Sequence, residues 1–451
     1  MTQPLLETEL EPRYLYVHTF GCQMNEYDSL RVQRILAAHG YLVTPDMASA
    51  DVIFLNTCSV REKAEQKVHS FLGRLKRLKS HHPGLKIILA GCVAQQLGNK
   101  LLKRFDHLDL VLGTRAISAV GDLLEKIQQT NKRLAYLPEV DSMTPRELFT
   151  ASPAATSPVT APVTIMQGCN NFCTYCIVPY VRGRERSRPS REILDEIEKL
   201  TSCGTREVLL LGQNVNSYGR GLEEKISFVE LLHRIQEETD LLRLRFTTSH
   251  PKDLTDELIR CFADLPVLCK YLHLPVQAGS DRIVKRMNRG YTAGHYLEKI
   301  QRLRDACPEI GLSSDVIVGF PGETEEDFQQ TMDLLKTVQY DNLFSFRYSD
   351  RPHARAAAFD DKLDEETKAR RLMELQALQA DITLRKNEAE VGTLREILVE
   401  GPSKTQEELL TGRTHQNRIV HFESTRPCTG ELITVRIREA ASHSLKGEPA
   451  A

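Results

Sequence analysis

Short apolar runs alternate with amphipathic stretches in the first part of the chain. Strands are predicted at RYLYVHTF, ADVIFLN, LKIILAG and LDLVLG, and the first three are followed by helical patterns near residues 26–39, 61–79 and 93–104. Continuous apolar runs separated by helices are typical of a parallel sheet covered on both faces. Residues 13–140 are therefore predicted to form a doubly wound α/β domain.

A change of composition separates this domain from a second alternating series. Residues 141–162 are rich in Pro, Ser, Thr and Ala and have no apolar periodicity, which indicates a linker with a domain boundary near residue 155. From residue 163, six strand-like runs alternate with amphipathic helices: VTIMQG, REVLLLG, LLRLRFTTS, KYLHLPV, GLSSDVIVGF and NLFSFRYS. Six such units predict a partial (β/α)6 barrel over residues 163–385.

The pattern changes once more near the carboxyl end. A charged helical stretch over roughly 363–389 precedes four short strand-like runs, REILVE, ELLTGRT, NRIVHFES and ELITVRIRE. Turn-rich separators between them predict a small antiparallel β-barrel over residues 386–443. Residues 444–451 are predicted to be a loose tail.

Composition narrows the class of protein. The hydrophobic fraction of 41% supplies sizeable cores, and the net charge of -2 argues for neither a nucleic-acid nor a membrane partner. The first residues lack a secretion signal and no apolar run approaches the ~20 residues that cross a bilayer, so we expect a cytoplasmic protein. Eleven cysteines in a reducing compartment favour metal or cluster binding over disulfides.

Three cysteines lie close together in QGCNNFCTYCIVPY, at Cys169, Cys173 and Cys176. Structural zinc sites need four protein ligands, and the next cysteine, Cys203, lies beyond a predicted helix. Four-iron clusters bind one thiolate on each iron, so three thiolates would leave one iron open. A cluster is the favoured interpretation, with zinc or unliganded thiols as the alternatives.

A second set of three cysteines occurs in the first domain. Cys22, Cys58 and Cys92 each follow a predicted strand, 36 and 34 residues apart. Because parallel strands align their carboxyl ends along one edge, the three thiols are expected to converge. A single buried cysteine would be interpreted as a small apolar packing residue, but three at matching strand ends favour a shared site.

The stretch GCNNFCTYC resembles the signature of radical S-adenosylmethionine (AdoMet) enzymes. The resemblance implies that AdoMet chelates the open iron and is cleaved to a 5′-deoxyadenosyl radical. The protein then supplies ligation, orientation and exclusion of water.

Further motifs are similar to those of the methylthiotransferase family of radical AdoMet enzymes, over about residues 13–440. They are TFGCQMNEYDS, LNTCSVREKAEQK, AGCVAQ and PYVRGRERSRP, with a closing barrel, LTGRTHQNRIVHF, that looks like a TRAM domain. The family resemblance implies two 4Fe-4S clusters. Cys169, Cys173 and Cys176 would hold the radical AdoMet cluster, and Cys22, Cys58 and Cys92 an auxiliary cluster that carries the delivered sulfur.

FGCQMN is similar to the branch of the family that acts on isopentenyl-adenosine. That branch implies methylthiolation of carbon 2 of N6-isopentenyl-adenosine at position 37, next to the anticodon of tRNA, using two AdoMet molecules. One AdoMet is the methyl donor and the other the radical source. The implied partners are a tRNA anticodon stem-loop and a flavodoxin- or ferredoxin-like reductant, and the chain is expected to be a monomer.

Three alternatives stay open on sequence. The family also contains branches that act on threonylcarbamoyl-adenosine in tRNA or on a ribosomal protein. An iron-sulfur electron-transfer or carrier protein would also need thiolates, but it would gain nothing from open irons or a six-unit barrel. A zinc-stabilised RNA-binding module is the third.

Several other residues are weaker candidates. Tyr175, Gln213 and Gly319 are interpreted as AdoMet contacts. A loop-tying amide for Gln213 and a tight turn at Gly319 are the competing explanations. The run of arginines after the first cysteine loop is interpreted as an RNA contact: Arg182, Arg184, Arg186, Arg188 and Arg191. Residues 391–440 carry seven basic and seven acidic residues, so an RNA role for the small barrel comes from resemblance alone.

One stretch departs from the family pattern. The chain reads YSDRPHARAAAF where relatives commonly have a Gly-Thr-Pro-like turn, which puts the conformation of the Pro352–Ala356 loop in doubt. The remaining cysteines lack metal-ligand spacing and are interpreted as packing residues: Cys203, Cys261, Cys269, Cys307 and Cys428.

Overall fold

The computed structural model describes residues 12–59, 62–138, 158–403, 406 and 408–450. The chain divides into two compact units, one of Met1–Ala154 with Tyr180–Gly183 and the other of Ala155–Pro179 with Arg184–Ala451. The predicted linker lies outside the described residues up to position 157. The domain limits derived from sequence stay a prediction.

The first unit is built on a six-stranded parallel sheet with the order β2-β1-β3-β4-β5-β6. Its strands are β1 Arg13–Thr19, β2 Tyr41–Val43, β3 Val52–Thr57, β4 Lys86–Gly91, β5 Leu110–Leu112 and β6 Leu134–Tyr136. Its helices are α1 Gln23–Ala38, α2 Glu62–His81, α3 Cys92–Leu97, α4 Asn99–Arg104 and α5 Val120–Thr130. The central strand β3 is buried at every position, as its continuous apolar run predicts.

Two apolar clusters pack on opposite faces of this sheet, because alternate residues of each strand point to opposite sides. Phe54 and Ile88 belong to one cluster, and Ile53 and Ile87 to the other. The predicted doubly wound domain is confirmed. The helix predicted near 93–104 is broken at Gly98, whose φ is +48°.

The second unit contains six parallel strands that follow one another in chain order. They are β7 Thr160–Thr164, β10 Glu207–Leu211, β11 Arg243–Thr247, β12 Tyr271–His273, β13 Gly311–Val318 and β14 Asn342–Arg347, and β8 Met166–Gln167 pairs with β9 Arg186–Ser187 beside them. Backbone hydrogen bonds from Leu244 to Val267 and from Cys269 to Leu244 connect the two three-stranded halves. This arrangement confirms the predicted partial barrel, although its first strand begins inside the predicted linker.

Helices connect the barrel strands and cover their outer face. They are α6 Val178–Val181, α7 Ser190–Ser202, α8 Phe228–Glu238, α9 Asp256–Asp264, α10 Asp281–Arg286, α11 Ala293–Ala306, α12 Glu325–Val338 and α13 Glu365–Glu388. Helices α8 and α12 begin with capping boxes at Ser227 and Thr324, which satisfy the free N–H groups of the first turn. Among the described residues, none of the helices has both the length and the apolar character to cross a membrane.

Five strands close a small barrel in the order β15-β16-β17-β19-β18. They are β15 Leu394–Pro402, β16 Leu410–Thr414, β17 Ile419–Phe422, β18 Leu432–Ala440 and β19 Leu445–Pro449. The first four match the predicted strands. The prediction of a loose tail over 444–451 is wrong, because β19 pairs with both β17 and β18 and so supplies the closing strand.

The turn between β16 and β17 packs against the (β/α)6 barrel. Arg245 donates to the carbonyl oxygens of Thr414 (2.7 Å) and His415 (3.0 Å), and Arg243 donates to that of Arg413 (2.6 Å). Arg243 and Arg245 are buried, and their guanidinium groups, which also pair with Glu396 and Glu207, find further acceptors in these carbonyls.

The closing strand gives a stability prediction. Leu445 is buried in the small-barrel core, whereas the neighbouring Lys446 side chain is half-exposed. We expect Leu445→Ala to lower the free energy of unfolding by about 2–5 kcal/mol and Lys446→Ala to change it by less than about 0.5 kcal/mol. Denaturant unfolding of the two full-length variants measures this, and equal stabilities would mean that residues 445–449 are a tail after all.

Candidate functional sites

Three cysteines follow adjacent strands of the first unit. Cys22 lies just beyond β1, and Cys58 and Cys92 follow β3 and β4 directly. None of the three forms a disulfide; Cys58 and Cys92 are buried and Cys22 is half-buried. Because β1, β3 and β4 are neighbours and run parallel, their carboxyl ends meet at one edge of the sheet. The structure therefore brings together the three residues that the sequence places at strand ends.

Two glycines allow close packing of the backbone around these cysteines. Gly21 has a φ of +127°, and a Cβ there would lie 2.3 Å from the Cβ of Cys58. Gly91 has a φ of +92°, and its Cβ would lie 2.3 Å from the carbonyl oxygen of Thr57. Other residues rarely adopt such angles and would also clash, so the glycine before Cys22 and that before Cys92 are required by the shape of the site.

The surroundings of these thiols shift the pKa values of Cys22 and Cys92 in opposite directions. A side-chain hydrogen bond with Cys58 lowers the pKa of Cys22 to about 6, against the effect of burial, and the Arg182 guanidinium lowers it further. Burial raises the pKa of Cys92, and Arg182 opposes that rise. Thiolate is the form of cysteine that binds metals, so the residues present fit a soft, iron-containing group.

The second cysteine set lies in one loop of the second unit, between β8 and α6. Cys173 is buried, and Cys169 and Cys176 are half-buried. Backbone and side-chain hydrogen bonds fix Thr174, in the middle of this loop, to the carbonyl oxygens of Met287 and Arg286, both at 3.0 Å. The loop is thus held in place at the carboxyl-terminal side of the strands, where barrel enzymes carry their chemistry.

The stretch that departs from the family pattern supports the same loop. The backbone N–H of Ala356 donates to the carbonyl oxygen of Thr174 at 2.8 Å, and Ala356 is fully buried. His353, just before it, has a φ of +71°, which completes the turn after β14. The unusual segment therefore packs against the cysteine loop.

Arg289 is a residue of this site that the sequence pattern does not reveal. Its guanidinium is buried, and Nη1 lies 3.5 Å from the Sγ of Cys173 and 3.3 Å from the hydroxyl of Tyr175. Nη2 donates to the carbonyl oxygen of Pro275 at 2.6 Å, and Nε donates to the Tyr291 hydroxyl at 3.1 Å. Only its place in MNRG, after a helix, would have drawn attention to it.

Burial is the main cause of the pKa shifts of Cys169 and Cys176. It raises the pKa of Cys169 to about 11 and also raises the pKa of Cys176, while the positive charge of Arg289 opposes both shifts weakly. Binding of a metal to such thiols releases their protons. Among the described residues, no three His, Cys, Asp or Glu side chains are gathered tightly enough to hold a single ion. The thiolates of a cubane bind separate irons.

The three residues interpreted as AdoMet contacts lie in different environments. Tyr175 adjoins the loop cysteines through Arg289. The side-chain oxygen of Gln213 accepts from the backbone N–H of Gly168, so this amide ties the start of the loop. A Cβ on Gly319 would lie 2.2 Å from Lys368 Cγ, which accounts for the glycine by close packing. AdoMet contact by these residues stays a prediction.

The structure separates the arginines that were interpreted as RNA contacts. Arg188 is 5% exposed and forms an ion pair with Glu196, and Arg182 is 2% exposed and bonded to Asp28 at 2.9 Å. The interpretation of these two as RNA contacts is wrong, because guanidinium groups in buried ion pairs cannot reach a phosphate. The other three lie nearer the surface: Arg184, Arg186 and Arg191.

Comparisons with known proteins support this description of the chain. Residues 163–335 match the Radical SAM superfamily, residues 14–113 match the Uncharacterized protein family UPF0004, and residues 388–450 match the TRAM domain. A tRNA-2-methylthio-N(6)-dimethylallyladenosine synthase from Syntrophobacter fumaroxidans is 64% identical over 99% of this chain and 98% of its own length. This chain belongs to the tRNA-2-methylthio-N(6)-dimethylallyladenosine synthase family.

A second relative of that name, from Syntrophus aciditrophicus, is 48% identical over 97% of this chain and 95% of its own length. The predicted membership of the methylthiotransferases is thus confirmed, and the chain is a radical AdoMet transferase. Its cofactors are AdoMet and 4Fe-4S clusters.

Solved structures share the fold of this synthase family at low identity. The radical AdoMet methyltransferase TsrM from Kitasatospora setae, with cobalamin and a [4Fe-4S] cluster bound, has a TM-score of 0.55 at 14% identity and covers 77% of each chain. The cobalamin-dependent AdoMet radical enzyme OxsB, with aqua-cobalamin and AdoMet bound, has a TM-score of 0.52 at 11% identity, covering 80% of this chain and 56% of its own.

Proposed function

We propose that this protein adds a methylthio group to carbon 2 of N6-isopentenyl-adenosine next to the anticodon of tRNA. The observation that carries the proposal is the presence of two sets of three cysteines outside any disulfide. One set lies at the ends of adjacent strands of the first unit, and the other lies in a single loop of the second unit. The near full-length similarity to synthases of that name supports the choice of substrate.

The loop cysteines would hold the cluster that works with AdoMet. Cys169, Cys173 and Cys176 would supply three thiolates, which would leave one iron open to the cofactor. When bound, this group supplies a carbon-centred radical that removes a hydrogen atom from the substrate. The protein's part is to fix the loop through Thr174, and Arg289 places positive charge beside Cys173.

The strand-end cysteines of the first unit would hold the auxiliary cluster. Cys22, Cys58 and Cys92 would again supply three thiolates, which would leave this cluster able to accept an outside sulfur ligand. Gly21 and Gly91 give the thiols room to approach, and Arg182 lies among them as a buried cation. We assign two AdoMet molecules per turnover, one as methyl donor and one as radical source.

The proposed partners follow from the same reaction. The substrate is the anticodon stem-loop of tRNA, with the TRAM barrel as an RNA-binding module. A flavodoxin- or ferredoxin-like protein supplies the electrons. We propose that the enzyme acts as a monomer in the cytoplasm.

A defined assay tests the proposal. Anaerobically reconstituted protein, dithionite and AdoMet are incubated with two synthetic anticodon stem-loops, one carrying isopentenyl-adenosine and the other unmodified adenosine. Mass spectrometry should find 2-methylthio-isopentenyl-adenosine only in the first RNA, together with 5′-deoxyadenosine. The Cys173→Ala variant is the negative control.

Other outcomes would replace the proposal. A product on threonylcarbamoyl-adenosine RNA or on a ribosomal protein, with none on isopentenyl-adenosine, would assign another branch of the family. Iron-loaded protein that forms no 5′-deoxyadenosine would favour an electron carrier, and zinc in place of iron and sulfide would favour a zinc-stabilised RNA-binding module.

A further inference from the structure

The side chain of Arg182 is buried inside the first unit, among the residues that surround the strand-end cysteines. It is 2% exposed. Its Nη2 donates to the side-chain oxygens of Asn25 and Asp28, both at 2.9 Å. Both acceptors lie in the first two turns of α1, directly after Cys22. The guanidinium is therefore held beside the cysteine that opens this helix.

The backbone around Arg182 is fixed independently of its side chain. The carbonyl oxygen of Arg182 accepts from Arg115, at 3.1 Å from Nε and 2.6 Å from Nη2. The carbonyl oxygen of Val181 accepts from the hydroxyl of Thr114 at 2.5 Å. These bonds do not involve the Arg182 side chain, so we expect variants at this position to keep the path of the main chain.

One nitrogen of the Arg182 guanidinium lacks a hydrogen-bond acceptor in the described part of the chain. Nη1 of Arg182 is fully buried and has no hydrogen-bond partner among the described residues. A buried N–H without an acceptor is destabilising, so such groups usually mark a missing partner. Asn25, which accepts from Nη2, also accepts from the Cys22 thiol at 3.7 Å, so the guanidinium lies on the side of this cysteine.

We propose that Arg182 is a positioning residue for the auxiliary cluster, donating its free N–H to a cluster sulfur and raising the reduction potential of that cluster. This inference rests on the proposed function, because it takes Cys22, Cys58 and Cys92 as the cluster ligands. A cluster with three thiolates is negatively charged and gains another negative charge on reduction. A nearby cation and an N–H donor stabilise the reduced form more than the oxidised form.

Asp28 gives the opposite contribution. Its carboxylate is 3% exposed and pairs with Arg182, so it partly cancels the positive charge that the cluster experiences. Removal of the two charges should therefore shift the potential in opposite directions. A purely structural role for the pair would produce no such difference of sign.

The test uses the full-length chain with Cys169, Cys173 and Cys176 changed to alanine, so that only the auxiliary cluster assembles. In this background we compare Arg182→Gln, Arg182→Lys and Asp28→Asn by redox titration followed by electron paramagnetic resonance. Arg182→Gln should lower the midpoint potential by about 59 mV or more, a tenfold change in the reduction equilibrium. Arg182→Lys should shift the midpoint potential less than Arg182→Gln does, because the positive charge is kept. Asp28→Asn should raise the midpoint potential above that of the parent variant.

Arg133→Gln is the matched control. Arg133 is another hydrogen-bonded arginine of this unit, donating to backbone carbonyls, but it lies at the amino end of β6, away from the carboxyl ends that carry the cysteines. Its replacement should leave the potential unchanged. A shift as large as that of Arg182→Gln would mean that any loss of an arginine has this effect, and would overturn the proposal.

The outcomes separate the two proposals. If the parent variant binds no iron, the auxiliary-cluster assignment and with it the proposed function fail. If iron is bound but Arg182→Gln leaves the potential unchanged, the inference about Arg182 is wrong. Should Arg182→Gln no longer bind iron, Asp28→Asn decides: a higher potential supports the inference, and an equal or lower one overturns it.

Discussion

Replacement of Gly21 by alanine should remove the auxiliary cluster and leave the radical AdoMet cluster in place. The new Cβ would lie 2.3 Å from the Cβ of Cys58 and 3.0 Å from its Sγ, so the Cys58 thiol must move. The backbone at Gly21 has a φ of +127°, which L-residues rarely adopt. Both effects act directly on a predicted cluster ligand.

The expected readouts differ for the two centres. The iron and sulfide content of reconstituted Gly21→Ala protein should fall by about half, because one of two four-iron clusters is lost. Formation of 5′-deoxyadenosine from AdoMet should persist, whereas methylthio transfer to RNA should disappear.

Gly40→Ala is the matched control for this experiment. Gly40 also has a positive φ, +80°, but a Cβ there meets only the Arg13 guanidinium, at 3.5 Å. It should cost a similar backbone strain of about 1–2 kcal/mol and keep both clusters. Full iron content in Gly21→Ala, or equal loss of iron in both variants, would contradict the predicted site.

The positions of the cysteines could be predicted from sequence because two regular patterns coincide. Apolar runs locate the strands, and the parallel topology places the ends of β1, β3 and β4 at one edge. Strand-end cysteines must then be neighbours, whatever the details of the helices. The same reasoning located the cysteine loop after the first barrel strand.

Three short strands, β2, β6 and β19, could not be predicted in this way. Strands β2 and β6 each contain only three residues, too few to show a period, and Leu42 in β2 is 56% exposed. Strand β19 reads LKGEP, whose Gly and Pro are typical of turns. It is a strand because β17 and β18 offer it backbone partners on both sides, a tertiary effect that overrides local preference.

A run of charges does not reveal which members are buried. Arg182 and Arg188 belong to one basic stretch with Arg184, yet only Arg184 is exposed, over the ring of Phe172 at 5.5 Å. The difference arises from acidic partners that lie far away in sequence or on the following helix. Asp28, which pairs with Arg182, is 154 positions away. Contacts of this kind, including that of Arg289 with Cys173, become visible only in the folded chain.

Arg289→Met should weaken retention of the radical AdoMet cluster more than it weakens the cluster-free fold. The hydrogen-bond acceptors of Arg289 are neutral carbonyl and hydroxyl oxygens, apart from the Cys173 sulfur. Within the described part of the chain, no carboxylate forms an ion pair with it. Its charge is therefore compensated only when Cys173 is a thiolate bound to iron.

This charge balance predicts that Arg289→Met destabilises the iron-loaded protein more than the cluster-free protein. In cluster-free protein, Arg289→Met removes hydrogen bonds but also removes an uncompensated buried cation, so the two effects partly offset each other. In the iron-loaded protein it removes a charge-assisted bond of about 1.5–3 kcal/mol to the ligand sulfur. Iron release to a chelator should accelerate about tenfold or more, since 1.4 kcal/mol corresponds to a factor of ten.

The measurement uses full-length protein with Cys22, Cys58 and Cys92 changed to alanine, so that all released iron comes from the second centre. Arg289→Lys retains the charge and should lie between wild type and Arg289→Met. Arg304→Met is the control, because Arg304 donates to the carbonyl oxygen of Val338 and does not contact the cysteine loop. If Arg289→Met destabilises the cluster-free protein as much as the loaded one, Arg289 serves the barrel rather than the cluster.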